Sequence, residues 1–380
     1  MEYLRLLKTY PRYLGYGLLH YFFSGPGQTF YLSLFTAYWL SALLLNNVQF
    51  GWLYSGATLL SAAILPVVGK WLDSKKLRHF SLGVGVGLAA FCAMMAVVNH
   101  WLWLLLVLFG LRLCGQGLMP LTASTAIARY FEDNRGRALS LVGFGVSFAE
   151  ALLPLLIVAL LGMMAWQTVW LIMAGVVSLV FIPLVIGLVP SQDEFQYAPV
   201  SSKAPVREGK QFNRGEVLRD PAFYALLGTF LCVPFFVTGL MIHKNLLGEA
   251  YSWSEVQMAQ ALSLFGITRL LGNLFIGPLI DRFSALRVFA FTLLPMGLGM
   301  LGLAISGHIS IMYVLFMGGG ISASLNSLTG TAVWAELYGT AHLGAIRSMV
   351  STIMVVSTAI ASVVLGWALA TPERISASMW

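Results

Sequence analysis

Three ionisable residues stand deep inside long apolar runs: Arg112, Glu150 and Arg269. In hydrocarbon each costs about 2.5 to 3.5 kcal/mol unless paired or hydrated, so each needs a reason to be there. A guanidinium presents a planar fork of donors that fits a carboxylate. Two guanidiniums against one carboxylate leave one excess positive charge, which an anionic substrate would neutralise. For Arg112 two readings stand together: a structural ion pair with Glu150 on the next apolar run, or direct contact with substrate. For Arg269 the readings are anion binding, or bonding to carbonyls and water. Glu150 is the candidate proton-coupling residue if Arg112 releases it.

Uncharged polar residues add to this set. Tyr16, His20, Ser24, Gly27, Tyr31 and Tyr38 recur at three- to four-residue spacing in the first apolar run, with Gln28 beside them, so a helix presents them on one face. Of these, Ser24, Gln28 and Tyr31 are the candidate substrate contacts, since Tyr at a span end is more often an interfacial anchor. Asn273, one turn after Arg269, and Asn326 are similar candidates. Gly25-Pro26-Gly27 should bend or loosen the helix. His243 and Lys244 read as an entrance pair or as snorkelling interfacial groups.

Other chemistries drop out. The six histidines and three cysteines are scattered without metal-ligand spacing, and Gly83-Val-Gly85-Val-Gly87 follows no strand, so it is no phosphate cradle. No metal, no cofactor and no catalytic cluster is implied, so the chain does not read as an enzyme.

The elements that position these residues are membrane spans. Apolar residues make up 58% and charged residues 10%, too few charges for an aqueous surface. Apolar runs long enough to cross a slab of about 30 Å recur along the chain. The expected spans are 13–41, 47–71, 77–98, 101–129, 138–162, 166–189, 221–246, 254–280, 285–306, 309–334 and 345–369. Of 22 Lys and Arg, 18 fall at the N-terminus, on alternate loops or at adjoining span ends. That bias puts the N-terminus and the central loop in the cytoplasm, and it explains the net charge of +7 without a nucleic-acid partner. The lipid bilayer is the partner that the composition does imply.

Shifted by 208 positions the sequence meets itself: Gly69 falls on Gly277, Asp73 on Asp281, Gly136 on Gly344, Ser140 on Ser348 and Val142 on Val350. The expected organisation is a six-span bundle over 1–189, a polar cytoplasmic linker over 190–220 and a five-span bundle over 221–380. Within 212–219 the sequence allows either a short surface helix leading into the seventh span or an unstructured connector. By the same offset a twelfth span belongs at 374–397, beyond Trp380, so eleven spans are expected, with the last absent.

At the joint between the second and third spans the chain reads Gly69-Lys-Trp-Leu-Asp73, followed by Arg78, and the eighth-to-ninth joint reads Gly277-Pro-Leu-Ile-Asp281-Arg282. This doubled Gly-x-x-x-Asp with a basic cluster resembles the signature loop of the major facilitator superfamily, and Arg112-Leu-Cys-Gly115-Gln-Gly117 resembles a pattern of its fourth span. The resemblance implies an all-α polytopic membrane fold: two pseudo-symmetric helical bundles around a central cavity, with alternating access and the two signature joints as gating elements. The stretch from Arg129 to Ser140, followed by Gly143, Gly145 and Pro154, looks like the branch of monocarboxylate and oxalate carriers. Ser24 to Phe35 resembles a run in bacterial members, which implies an inner (cell) membrane. Glu150 departs from the branch pattern, which puts a small residue there, so its substrate is not simply carried over. The expected function is secondary transport of a small anion, an organic carboxylate by charge match, driven by a gradient because no ATP-binding motif is present, with proton coupling as the candidate drive. The competing reading is a truncated, non-transporting or regulatory relative.

Overall fold

The computed structural model describes residues 2–69, 71–74, 76–131, 135–189, 212–339 and 343–369. It divides into two compact units, Met1–Val200 and Ser201–Trp380. Among the described residues every regular element is a helix, as apolar runs in a bilayer demand: only a helix satisfies all its backbone groups within one segment.

The N-terminal unit opens with α1 (Glu2–Thr9), then α2 (Pro11–Phe23), a tight 3-10 turn at Gly25–Gly27, α3 (Thr29–Leu32), a second such turn at Ser33–Phe35 and α4 (Thr36–Leu43). It continues through α5 (Asn47–Gly69), α6 (Trp71–Ser74), α7 (Leu77–Met95), α8 (Trp101–Leu111), a π-helical stretch at Arg112–Leu118, and α9 (Met119–Tyr130). Then come α10 (Arg135–Leu161), α11 (Trp166–Val176), a π stretch at Val177–Phe181 and α12 (Ile182–Leu188). Helix α2 lies on α10 and α9, α5 on α8, and α7 on α11.

In the C-terminal unit α13 (Arg214–Val217) sits within 212–219 and is closed by a capping box between Asn213 and Glu216. The part of the expected linker before it, up to residue 211, lies outside the described residues. The unit continues with α14 (Pro221–Ile242), α15 (Lys244–Tyr251), α16 (Glu255–Phe283), α17 (Ala285–Phe289), α18 (Leu294–Ile305), α19 (Ile309–Tyr338) and α20 (Leu343–Ala368). Asp220 caps α14 with Pro221 at its first turn, and Ser254 caps α16 in a second capping box with Gln257, so sequence chemistry sets both starts. Helix α19 is the hub, packed on α16 and α18, and α14 pairs with α20.

Ten helical stretches among the described residues are long and apolar enough to cross a membrane. They match ten of the eleven expected spans. The first, 13–41, is instead broken, because Pro26 supplies no amide hydrogen to the helical ladder and flanking glycines relax the backbone. The tail from 370 onward, where a twelfth span was expected to be missing, lies outside the described residues. The duplication is visible in the helix starts: Asn47 and Glu255, Leu77 and Ala285, Trp101 and Ile309, and Arg135 and Leu343 each stand 208 apart.

Candidate functional site

The break in the first span creates a polar spot inside an apolar unit. After α2, Gly27 N–H donates to Ser24 O at 3.0 Å and Gln28 N–H to Gly25 O at 2.8 Å. Gln28 is extended, with φ −85° and ψ 151°, before α3 starts. The helical ladder is interrupted there, and the Gly27 carbonyl receives a hydrogen bond from Arg112 Nη1 at 3.3 Å. Arg112 itself opens the π stretch of the fourth span, a distortion that recurs at functional sites. The two irregular segments touch: a Cβ built on Gly115 would stand 2.7 Å from the Gly27 Cα.

Arg112 is 1% exposed. Its Nε donates to Thr58 Oγ1 at 3.1 Å, and Nη1 also reaches Thr29 Oγ1 at 3.3 Å. The guanidinium carbon lies 4.8 Å from the Tyr54 ring centroid, and the Tyr54 hydroxyl shares a 2.7 Å hydrogen bond with Thr29 Oγ1. Neutral oxygens and a ring face therefore hold the cation. Among the described residues no carboxylate pairs with Arg112, so the expected ion pair with Glu150 is not formed in this structure. Glu150 is 5% exposed on α10. Its neighbours on that helix, Ala149 and Leu153, are among the side chains that a Cβ on Gly25 would meet, so Glu150 lies in the stretch of α10 packed on the broken segment.

The other first-span candidates divide. Ser24 is fully buried, donates to Tyr21 O at 2.7 Å and accepts from Gln28 Nε2 at 3.2 Å, which ties half-buried Gln28 to the break. Tyr31 is fully buried in an aromatic cluster, 5.5 Å from Phe35 and 5.3 Å from Trp170 between ring centroids. Tyr16 and His20 are core residues too, with His20 Nδ1 on Tyr16 O at 2.9 Å. Beside Pro26 lies a cleft of about 220 Å³ lined by side chains such as Phe22, Leu153, Ile157 and Met173. Its apolar walls suit no anion.

In the C-terminal unit Arg269 is half-buried on α16, and its carbonyl accepts from Ser324 Oγ at 2.7 Å. Gly320, 208 residues beyond Arg112, packs there: a Cβ on it would lie 3.1 Å from Arg269 N. At corresponding helix crossings, then, the arginine stands on the fourth-span helix in one unit and on the second-span counterpart in the other. Asn326 is 6% exposed and donates through Nδ2 to Phe230 O at 3.2 Å. The Oδ1 atoms of Asn326 and Asn273 are buried and unbonded among the described residues.

At the signature joints, Gly69 has room for a Cβ only by pressing on Leu121 at 3.0 Å, while Arg78 and Arg282 are exposed, Arg282 lying 5.2 Å from the Phe283 ring. The side chains of Asp73 and Asp281 and the surroundings of Gly277 lie outside the described part. Glu336, not foreseen, accepts Ala285 N–H at 3.1 Å and Leu286 N–H at 3.4 Å, capping α17 directly after the second joint. Also unforeseen were Thr29, Tyr54 and Thr58. The last two fall one turn apart on α5, a spacing visible in the sequence once that helix is known to face Arg112.

The family model described as Major Facilitator Superfamily matches residues 17–249 and 240–373. No curated protein matches the sequence. Among solved structures, a bacterial homologue of the human lysosomal transporter Spinster, inward-facing and occupied, superposes with a TM-score of 0.73 at 14% identity, over 96% of this chain and 82% of that one. The nucleoside transporter NupG superposes with a TM-score of 0.70 at 12% identity, over 94% of this chain and 90% of that one. At such identities the likeness is one of fold.

Proposed function

The chain belongs to the major facilitator superfamily, which makes it a membrane transporter and not an enzyme, and we propose that its cargo is a small anion, an organic carboxylate. The observation that carries this is Arg112, a cation 1% exposed within an apolar span and held on the neutral oxygens of Gly27, Thr29 and Thr58. Those bonds engage Nε and Nη1. The fork edge at Nη2 has no hydrogen bond among the described residues and is oriented by the rest, so a carboxylate gains a charge-assisted bond without reorganising the site. Gln28, Ser24 and Tyr31 are the first-span substrate contacts, the Tyr31 hydroxyl being buried without a hydrogen bond among the described residues. In the C-terminal unit Arg269, Asn273 and Asn326 are the corresponding substrate-binding candidates, the two amide oxygens being suited to a donor on the cargo.

Transport proceeds by alternating access driven by a gradient, with the joints at Gly69, Asp73 and Arg78 and at Gly277, Asp281 and Arg282 as its conformational elements. Glu150 is the proton-coupling residue, placed on the helix that supports the break. The N-terminus faces the cytoplasm of a bacterial cell membrane, on the strength of the basic-residue bias. Uptake into proteoliposomes of labelled mono- and dicarboxylates, nitrate, a nucleoside, sugars and amines tests the reading. The nucleoside belongs in the panel because one fold neighbour is a nucleoside transporter. Saturable, pH-gradient-driven uptake of a carboxylate is expected; carriage of neutral or cationic compounds alone overturns the anion assignment.

A further inference from the structure

We infer that the short helices opening the two units, α1 and α13, are docking surfaces for an anionic lipid bilayer. Each stands just ahead of a spanning run, α1 before Pro11 and α13 before Pro221, so each lies at headgroup level. In α1, Leu6 is 6% exposed and packs with Phe131, Ala138 and Leu141, while the next residue, Leu7, is 40% exposed between the exposed cations Arg5 and Lys8. Around α13, Val217 is fully buried with Phe223, Trp334 and Ile346, while Leu218 is 43% exposed between the exposed cations Arg214 and Arg219. The arrangement thus occurs twice: one apolar anchor turned into the unit's own core, then a leucine turned out and flanked by two positive charges. Arg12 adds a third cation at the first site, exposed and bonded to Gly187 O at 3.3 Å.

A single outward leucine is ordinary by itself; what the two sites share is an outward leucine set between two cations, and a soluble anion would pair with the cations and leave the leucine uncovered. The boundary between headgroups and acyl chains meets both needs, because it receives an apolar side chain a few ångströms below anionic phosphates. Helix α1 leans on α10 and α13 on α20, the corresponding helices of the two units, so lipid engagement bears on equivalent places. Near an anionic surface each Lys or Arg strengthens attachment roughly fivefold.

The test is thermal unfolding of the purified full-length protein in neutral detergent, titrated with phosphatidylglycerol, with phosphatidylcholine or with inorganic phosphate. The expected result is a rise in Tm with phosphatidylglycerol that phosphatidylcholine and phosphate do not reproduce and that about 1 M salt removes by screening. In the quadruple variant Arg5→Gln, Lys8→Gln, Arg214→Gln, Arg219→Gln, half-saturation should need on the order of several hundredfold more phosphatidylglycerol. The variant Arg5→Lys, Arg214→Lys, Arg219→Lys keeps every charge and should behave as wild type. If the quadruple variant does not fold, the wild-type salt and phosphatidylcholine arms still decide. Equal shifts by both lipids, reproduction by phosphate, insensitivity to salt, or an undiminished preference in the quadruple variant overturns the inference. The readout is independent of cargo.

Discussion

Gly27 and Gly115 meet backbone to backbone, where the broken first span crosses the π stretch of the fourth: a Cβ on Gly115 would stand 2.7 Å from both Gly27 N and Cα. Only a residue without a side chain permits this approach, which lets Arg112 reach the Gly27 carbonyl. Gly115→Ala is therefore expected to destabilise the protein by about 1 to 3 kcal/mol, the usual penalty of overpacking. Gly83→Ala and Gly143→Ala, positions where a Cβ meets nothing within 4 Å, are the matched controls. They should leave Tm unchanged or raise it slightly through helix propensity. Equal behaviour of all three in a thermal melt would remove the crossing from the account.

Thr58→Val keeps shape but removes the oxygen that accepts from Arg112 Nε. A donor on a buried charge is then unsatisfied, at a cost of about 1 to 3 kcal/mol. Thr58→Ser restores the oxygen and should recover most of the Tm. A Val variant as stable as wild type would mean that water replaces the threonine.

Arg112→Lys keeps the charge and loses the fork, so carboxylate affinity should fall at least tenfold, about 1.4 kcal/mol. Arg112→Gln should abolish binding, and Arg269→Gln should do the same if the C-terminal unit contributes its own contact. Calorimetric titration of the detergent-solubilised variants with the proposed carboxylate cargo measures this, alongside a melt to show that they are folded. Wild-type affinity in either Gln variant removes that arginine from the site.

Glu336→Gln weakens the cap that holds Ala285 and Leu286 amides at the start of α17. Loss of the carboxylate charge at a helix N-terminus should cost up to about 1 kcal/mol and speed hydrogen exchange of those two amides before any global change. Unaltered exchange there would show the cap to be incidental.

Periodicity and length made the spanning runs legible, and the 208-residue offset in Gly69/Gly277 and Asp73/Asp281 reappears in the helix starts at Asn47 and Glu255 or Arg135 and Leu343. Gly25-Pro26-Gly27 likewise announced a break. The partners of Arg112 were not legible, because Thr58 and Thr29 lie 54 and 83 residues away, and nothing in a local pattern says which neutral oxygens a folded chain brings to a cation. Nor does the spacing of the polar stripe say that the Tyr31 ring meets Trp170 across the bundle, a contact to which an aromatic ring is drawn.

The proposed proton-coupling role of Glu150 makes the sharpest demand on the transport cycle. It lies 5% exposed on α10, on the stretch that supports the Gly25 break, and Arg112 is occupied by neutral oxygens. In the proposed cycle, movement of α10 against the break would change the surroundings of the Glu150 carboxyl, so that it takes up a proton in one state and releases it in the other. Glu150→Gln mimics the protonated form permanently. The variant should lose accumulation of carboxylate driven by an inward proton gradient while retaining exchange of labelled for unlabelled carboxylate across proteoliposomes without a gradient. Exchange serves as the internal control for folding, and a melt of the variant is run beside it. Intact gradient-driven accumulation would exclude Glu150 from coupling; loss of exchange together with a large fall in Tm would assign it to structure instead.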